Sequence, residues 1–276
     1  MTRVRAGSSI TLEKVCLTLG DHEIISDIDL EIAAGEFVCL LGPSGCGKST
    51  LLNAIAGFQA VEGAVRVGGR LVKGPGIDRG VVFQSSEALF PWLTVRENVE
   101  YGPRLRGVPA RQRAASADHY LALVGLSHAT EKFPEELSGG MRQRAQIARV
   151  LVNEPSVVLM DEPFGALDAQ TREMLQRELD RLWRATGCTI VFVTHDIWEA
   201  ILLADRVVTM TAGPCARIKT IQKIDLAHPR APADPASLAI YGALRDDIGA
   251  EVLRTLRAQG LAPMASDPPV QSGAGV

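Results

Sequence analysis

The segment Gly42-Pro-Ser-Gly-Cys-Gly47-Lys48-Ser49 constrains the fold more than any other part of the chain. It follows Phe37-Val-Cys-Leu-Leu and precedes the helical pattern Leu51, Leu52, Ile55, Ala56, which Gly57 closes. An unbroken apolar run needs cover on both faces, as in a parallel sheet. The glycines let successive N–H groups turn inward around phosphate oxygens, and the helix adds its positive end. The pattern G-x-x-x-x-G-K-[ST] in a strand-turn-helix setting therefore predicts an α/β chain that holds nucleotide phosphates. Gly42, Pro43, Ser44, Gly45, Cys46, Gly47, Lys48, Ser49 and Thr50 are expected to wrap them, with Lys48 on the β- and γ-phosphates and the Ser49 hydroxyl on Mg²⁺. This motif alone does not separate a GTPase, a small-molecule kinase, a helicase and a transport ATPase.

Composition narrows the partners. With Lys plus Arg at 29, Asp plus Glu at 32 and a formal charge of -3 over 276 residues, no basic excess exists for a nucleic-acid backbone. Apolar runs such as Phe37 to Leu41 and Ala200 to Leu203 fall far below the ~18 residues of a membrane span. Met1-Thr-Arg-Val-Arg-Ala-Gly carries positive charge with no apolar segment behind it, so no secretory signal is read and a cytoplasmic location is expected. The 5 cysteines form no C-x-x-C pair and read as reduced thiols.

Along the chain, Ile10-Thr-Leu-Glu-Lys-Val-Cys-Leu and Ile28-Asp-Leu-Glu-Ile alternate between Gly20-Asp21 and Ala34-Gly35, which predicts antiparallel strands with one wet face. Two further apolar strands are expected at Val157-Val-Leu-Met and Thr189-Ile-Val-Phe-Val-Thr. Between the two strand groups, residues 87–154 read as a helical insertion: Thr94-Val-Arg-Glu97 is a capping box, and Ala117, Tyr120, Leu121 and Val124 repeat at helical spacing. Residues 226–276 form a C-terminal extension with a helical stretch around Leu238 to Arg257 and a tail from Ala262 whose composition predicts disorder. No internal repeat occurs, and the phosphate loop appears once.

Chemistry gathers at the strand ends, where α/β sheets place it. Asp161, ending a buried strand, can hold the magnesium shell through water, and strand alternation points the next residue to the opposite side, so Glu162 is placed to orient or deprotonate an attacking water. An isolated acidic pair could equally be a helix cap or a solvated turn. His195 ends the next strand, with Asp196 as a predicted N-cap and Glu199 completing a box-like pattern; its position beside Glu162 favours contact with the γ-phosphate or the water over a structural role. Ser138-Gly139-Gly140 opens a helix with apolar Ile147, Ala148, Leu151 and Val152. It reads either as an ordinary serine cap or as a second anion site, and the latter suggests a nucleotide held between two copies of the chain.

Taken together, these residues resemble the ATP-binding subunits of ABC transporters, over roughly residues 9–225. Walker A matches Gly42 to Thr50, the Q-loop glutamine Gln84, and the signature Leu137-Ser138-Gly139-Gly140 with Gln143 following. Walker B matches Val157 to Asp161 with the catalytic glutamate at Glu162, the D-loop Ala166-Leu167-Asp168, and the switch histidine His195. The resemblance implies a P-loop NTPase (RecA-like) α/β core with an antiparallel β subdomain and an inserted α-helical subdomain, a nucleotide-binding domain over 1–225, and Mg-ATP hydrolysis in a head-to-tail homodimer. It also implies Mg²⁺ bound by Ser49, Gln84 and Asp161, catalysis by Glu162, His195 and Lys48, and nucleotide contacts from Ser138, Gly139, Gly140 and Asp168.

Gly76 to Gln84, Leu89-Phe-Pro91-Trp92-Leu-Thr-Val-Arg-Glu-Asn98-Val and Glu162-Pro-Phe-Gly-Ala-Leu-Asp168 are similar to the nitrate/sulfonate/taurine branch of importer ATPases. That likeness implies permease subunits docked near Phe90, Pro91 and Trp92, a solute-binding protein acting indirectly, and a peripheral place on the inner face of the membrane. Packing of the three residues under the helical insertion is the competing reading. Two positions depart from the family. Leu19 stands where an aromatic ring commonly meets adenine, leaving apolar contact without stacking, and Trp198 stands at an often acidic position. A soluble ABC ATPase acting on DNA or the ribosome, and a P-loop kinase, are the other classes; the single phosphate loop and the lack of a long heptad insertion and of a basic arm stand against the first, and Ser138-Gly139-Gly140, which a kinase does not explain, against the second.

Overall fold

A computed structural model describes residues 7–84, 88–258 and 261. Its central sheet has six strands in the order β10-β9-β3-β8-β7-β6. These are β3 (Phe37–Leu41), β6 (Arg79–Val82), β7 (Val157–Asp161), β8 (Thr189–Val193), β9 (Arg206–Met210) and β10 (Ile218–Lys223). All pairings from β9 through β6 are parallel, and β10 joins β9 antiparallel. A second sheet, β2-β1-β4-β5, comprises β1 (Ile10–Leu19), β2 (His22–Ile32), β4 (Glu62–Val67) and β5 (Arg70–Leu71).

The apolar strands divide their side chains by strict alternation. Val38, Leu40, Val157, Leu159, Val191, Val193 and Val208 face one way and join α1 (Lys48–Ala56) and the inner face of the small sheet in one core. Phe37, Cys39, Leu41, Val158, Met160, Ile190 and Phe192 face the other way, into a second core shared with the helices. Those helices are α2 (Val95–Leu105), α3 (Ala110–Leu123), α4 (Gly139–Leu151), α5 (Ala169–Thr186), α6 (Ile197–Leu203) and α7 (Pro235–Ala258). Trp183 of α5 fixes the helical layer on the sheet: its ring meets Phe37 edge-on at 5.5 Å and its indole N–H donates to the Gly35 carbonyl at 2.9 Å.

The mixed α/β core, antiparallel sheet and helices between β6 and β7 agree with the expected fold. The capping box forms: the Thr94 N–H donates to Glu97 and the Glu97 N–H to the Thr94 hydroxyl, at 2.9 and 3.2 Å. Ala117, Tyr120, Leu121 and Val124 are buried as their spacing predicts. All 5 cysteines are free. Only half of the box at Asp196 forms. Asp196 caps the N–H groups of Trp198 and Glu199, whereas the Glu199 carboxylate turns inward to the Thr194 hydroxyl at 2.5 Å. Strands β4, β5, β6, β9 and β10 were not anticipated, because Arg79-Gly-Val-Val and Arg206-Val-Val-Thr-Met are short and β5 is two exposed residues. The predicted tail from Ala262 lies outside the described residues.

Gly57, the C-cap of α1, sits at φ 85°, and a Cβ there would collide with the Gly74 carbonyl. Gly57→Ala is expected to cost roughly 2–4 kcal/mol in a denaturant or thermal melt, from left-handed strain plus overpacking. Gly69→Ala, at φ 73° with open space around it, should cost only about 1 kcal/mol.

Candidate active site

The phosphate loop joins the end of β3 to α1. Gly45 and Gly47 adopt φ 78° and 89°, and a Cβ at Gly47 would lie 3.0 Å from the side chains of Ile24 and Ile25 on β2. The loop is thus shaped by glycine and seated on the small sheet. Lys48 is only 7% exposed; its ammonium donates to the carbonyls of Gly42 and Pro43 at 2.9 and 2.8 Å and so lies across the mouth of the loop. Cys46 is buried beneath, and burial pushes its thiol pKa up despite the nearby Lys48 charge, which keeps it protonated.

The acidic strand end lies against this loop. The Ser49 hydroxyl donates to the Asp161 carboxylate at 3.0 Å, which pairs two hard oxygen ligands from α1 and β7. Burial raises the Asp161 pKa; the Ser49 hydrogen bond opposes that rise, the Glu162 charge adds to it, and Lys48 opposes it. Strand alternation does not aim Glu162. The strand ends at Asp161, and Glu162 takes φ 43°, with its N–H on the Val193 carbonyl at 2.9 Å. This left-handed step brings one carboxylate oxygen to 3.1 Å from the Gln84 amide nitrogen and 3.3 Å from His195 Nδ1. Lys48, Ser49, Gln84, Asp161, Glu162 and His195 therefore converge from β3–α1, β6, β7 and β8.

The remaining predicted residues lie elsewhere on the chain. Ser138 is the N-cap of α4, accepting from the Met141 N–H at 3.3 Å, and Gly140 faces Leu167. Asp168 caps α5 by accepting the Thr171 N–H at 3.0 Å, and that bond holds its carboxyl below the ordinary aspartate range. Leu19 ends β1 opposite His22 and is 43% exposed. Among the described residues, no hydrogen bond joins Ser138, Gly139, Gly140, Asp168 or Leu19 to residues 42–50.

Three residues named with the motifs take supporting roles that the sequence does not indicate. Buried Gln143 donates to the Phe83 carbonyl at 3.2 Å and so ties α4 to the residue before Gln84. Glu199 accepts from Thr194, whose hydroxyl in turn accepts the Asp196 N–H at 3.0 Å; the turn carrying His195 is held from below. Asn98, with 0% exposure, accepts the Phe90 N–H and donates to the carbonyls of Phe90, Leu93 and Thr94. Its only sequence signal is a polar residue between the buried Val95 and Val99. The turn it holds sorts the apolar trio: Phe90 packs on Tyr101 at 4.6 Å and under the Arg149 guanidinium at 4.1 Å and stacks on the Trp92 ring at 5.3 Å, whereas Pro91 is exposed and Trp92 is 70% exposed.

The family described as "ABC transporter" matches residues 25–165. The taurine import ATP-binding protein TauB of Jannaschia sp. is 48% identical over 216 residues, 78% of this chain and 80% of that protein. The bicarbonate transport ATP-binding protein CmpC of Synechococcus elongatus is 48% identical over 242 residues, 86% of this chain but 36% of that longer protein. A dimeric ATP-binding cassette solved in a post-hydrolysis state with ADP and Pi superposes with a TM-score of 0.71 at 31% identity, covering 79% of this chain and all of its own. The phosphate loop, the acidic strand end and the detached serine-glycine-glycine helix start, together with these likenesses, make the chain a member of the ABC transporter family, an ATP-binding subunit with ATPase activity.

Proposed function

We propose that two copies of this chain, arranged head to tail around two Mg-ATP, power uptake of a small organic or inorganic anion through a membrane permease. The observation that carries the chemistry is the meeting of Gln84 and His195 at one Glu162 oxygen beside the Ser49–Asp161 pair. Glu162 orients a water in line with the γ-phosphate or takes its proton, His195 polarises the same region, and Lys48 exchanges its loop carbonyls for phosphate oxygens. Mg²⁺ fits Ser49 and Asp161, with the Gln84 amide oxygen as a further ligand in this reading, because it is held through one or two carboxylates plus substrate phosphates rather than by a full protein cage. When bound, it would neutralise charge on the phosphates.

Among the described residues, no hydrogen bond joins Ser138, Gly139 or Gly140 to the phosphate loop of the same chain, which supports their use by the opposite copy: N–H groups at the start of α4 suit a γ-phosphate presented from outside. The dimeric neighbour supports the same arrangement. Leu19 contributes an apolar contact to the base, and Asp168 lies at the rim where the copies would meet. The relatives named for taurine and bicarbonate support an importer and a nitrate-, sulfonate- or taurine-like solute. An external solute-binding protein would then act indirectly. No helix among the described residues is long and apolar enough to cross a membrane, so attachment to the inner face would run through the permease, with Trp92 as the exposed contact beside Phe90 and Pro91. The formal charge of -3 and both transport relatives argue against the soluble reading on DNA or the ribosome.

Glu162→Gln is expected to lower kcat for ATP hydrolysis by about 10²–10⁴-fold while ATP binding persists and a dimer accumulates in size-exclusion chromatography; near-normal turnover would remove Glu162 from its role. Ser138→Arg should leave nucleotide binding by the single copy intact and abolish the steep dependence of specific activity on protein concentration. Trp92→Ala should preserve ATP hydrolysis by the isolated subunit yet weaken co-purification with the permease, and transport in reconstituted vesicles should fall with it.

A further inference from the structure

The C-terminal helix reaches the nucleotide site at two points. Trp198 lies three positions after His195, in the first turn of α6, with its N–H held by the Asp196 carboxylate at 2.8 Å. Its ring stacks on Tyr241 of α7, with centroids 4.6 Å apart and planes 19° from parallel. The residue that departs from the family pattern is thus explained by its partner: an aromatic at 198 is useful only where another ring is brought to meet it. Leu244, buried at 2% exposure, and the partly buried Ile240 and Ile248 complete the apolar side of α7 against the helical core.

Nearly three turns beyond Tyr241, α7 is anchored a second time, at Glu251. Glu251 is fully buried, accepts the Ala212 N–H at 3.0 Å, and pairs with Lys219 at 3.0 Å and Arg254 at 2.9 Å. Asp247 adds a bond to Lys219 at 2.8 Å. Ala212 precedes Gly213, where a Cβ would stand 3.3 Å from the Gly45 carbonyl of the phosphate loop. One helix therefore touches both the segment packed on the phosphate loop and the helix whose N-cap directly follows His195. A buried, multiply bonded carboxylate at one end makes the helix a fixed reference for the ring at the other.

We propose that α7 is a brace for the ATPase centre, and that Tyr241 is a positioning residue which sets the His195 turn through the face of Trp198. The brace rests on the reading of His195 as the group that contacts the γ-phosphate or the water. It acts on orientation in the transition state and leaves ground-state binding of nucleotide to the phosphate loop. Its kinetic signature is therefore a change in kcat rather than in KM.

The test measures steady-state ATP hydrolysis and thermal melting for full-length Tyr241→Leu, Tyr241→Phe, Trp198→Leu and the Tyr241→Leu/Trp198→Leu double variant, with His195→Ala as control. Tyr241→Leu and Trp198→Leu are expected to lower kcat roughly two- to tenfold, the range that a stacked aromatic pair represents, with KM for ATP within about twofold of the parent. The double variant should lose no more than either single one, and Tyr241→Phe, which keeps the ring, should restore kcat. Unchanged kcat in both leucine variants overturns the brace, as does a loss in Tyr241→Phe equal to that in Tyr241→Leu, or losses that simply multiply in the double variant. Should Tyr241→Leu fail to fold, Trp198→Leu against Tyr241→Phe still decides the outcome. Full turnover in His195→Ala would instead refute the assignment of His195, whatever the brace variants do.

Discussion

Burial of a parallel sheet on both faces is the constraint from which the rest of this molecule follows. Strands such as Phe37–Leu41 and Thr189–Val193 expose nothing to water, so each must be covered by the small antiparallel sheet and α1 on one side and by helices on the other. Parallel pairing then brings the carboxyl ends of β3, β7 and β8 to one edge. A polar side chain is accommodated along these strands only when it is hydrogen-bonded, as Thr189 is to Ser8 and Gly35, and the charged groups cluster where the strands stop. The candidate nucleotide site is that edge: a glycine loop after β3, a carboxylate pair after β7 and an imidazole after β8.

At the edge, chemistry is organised around departures from regular backbone. Glycine at 45 and 47 allows the loop to close with inward N–H groups, and the left-handed turn at Glu162 swings a carboxylate away from the strand path toward Gln84 and His195. A left-handed glutamate carries a steric cost that surrounding contacts must offset, and its N–H bond to Val193 is one of them. Lys48, Asp161 and Cys46 occupy the buried floor, and burial raises the pKa values of Asp161 and Cys46. The resulting centre is pre-arranged, with a cationic side chain held on carbonyls it can trade for phosphate oxygens at little reorganisation cost.

The supporting residues show why function spreads through the fold. Gln143, Glu199 and Asn98 are buried polar groups on helices; Gln143 and Asn98 donate to backbone carbonyls of functional turns, and Glu199 accepts from the Thr194 hydroxyl beside His195. Their energetic logic is that of any buried hydrogen-bonding group: fully partnered it specifies one local geometry, whereas unpartnered it would destabilise the core. The α6–α7 pair extends the same logic outward, since Arg230 also satisfies the carbonyls of Ile201 and Ala204 at the far end of α6 at 2.7 and 2.6 Å.

Residues 42–50, Asp161-Glu162, His195, Ser138-Gly139-Gly140 and the box at Thr94 were legible from sequence because each combines a local backbone requirement with a nearby periodicity. Left-handed turns call for glycine, caps call for serine or aspartate, and covered strands call for unbroken apolar runs. The antiparallel β subdomain was legible in β1 and part of β2, and lost in β4 and β5, whose short, partly exposed residues carry little pattern. Sequence alone therefore determined the phosphate loop, the presence of the acidic strand end and the ATPase class. Tertiary structure decided which side chains share an oxygen of Glu162, which members of Phe90-Pro91-Trp92 stay at the surface, and which ring the tryptophan at 198 packs against. Contacts such as Gln84 with Glu162, or Trp198 with Tyr241, join residues 78 and 43 positions apart, and only the packing of whole layers brings such residues within reach.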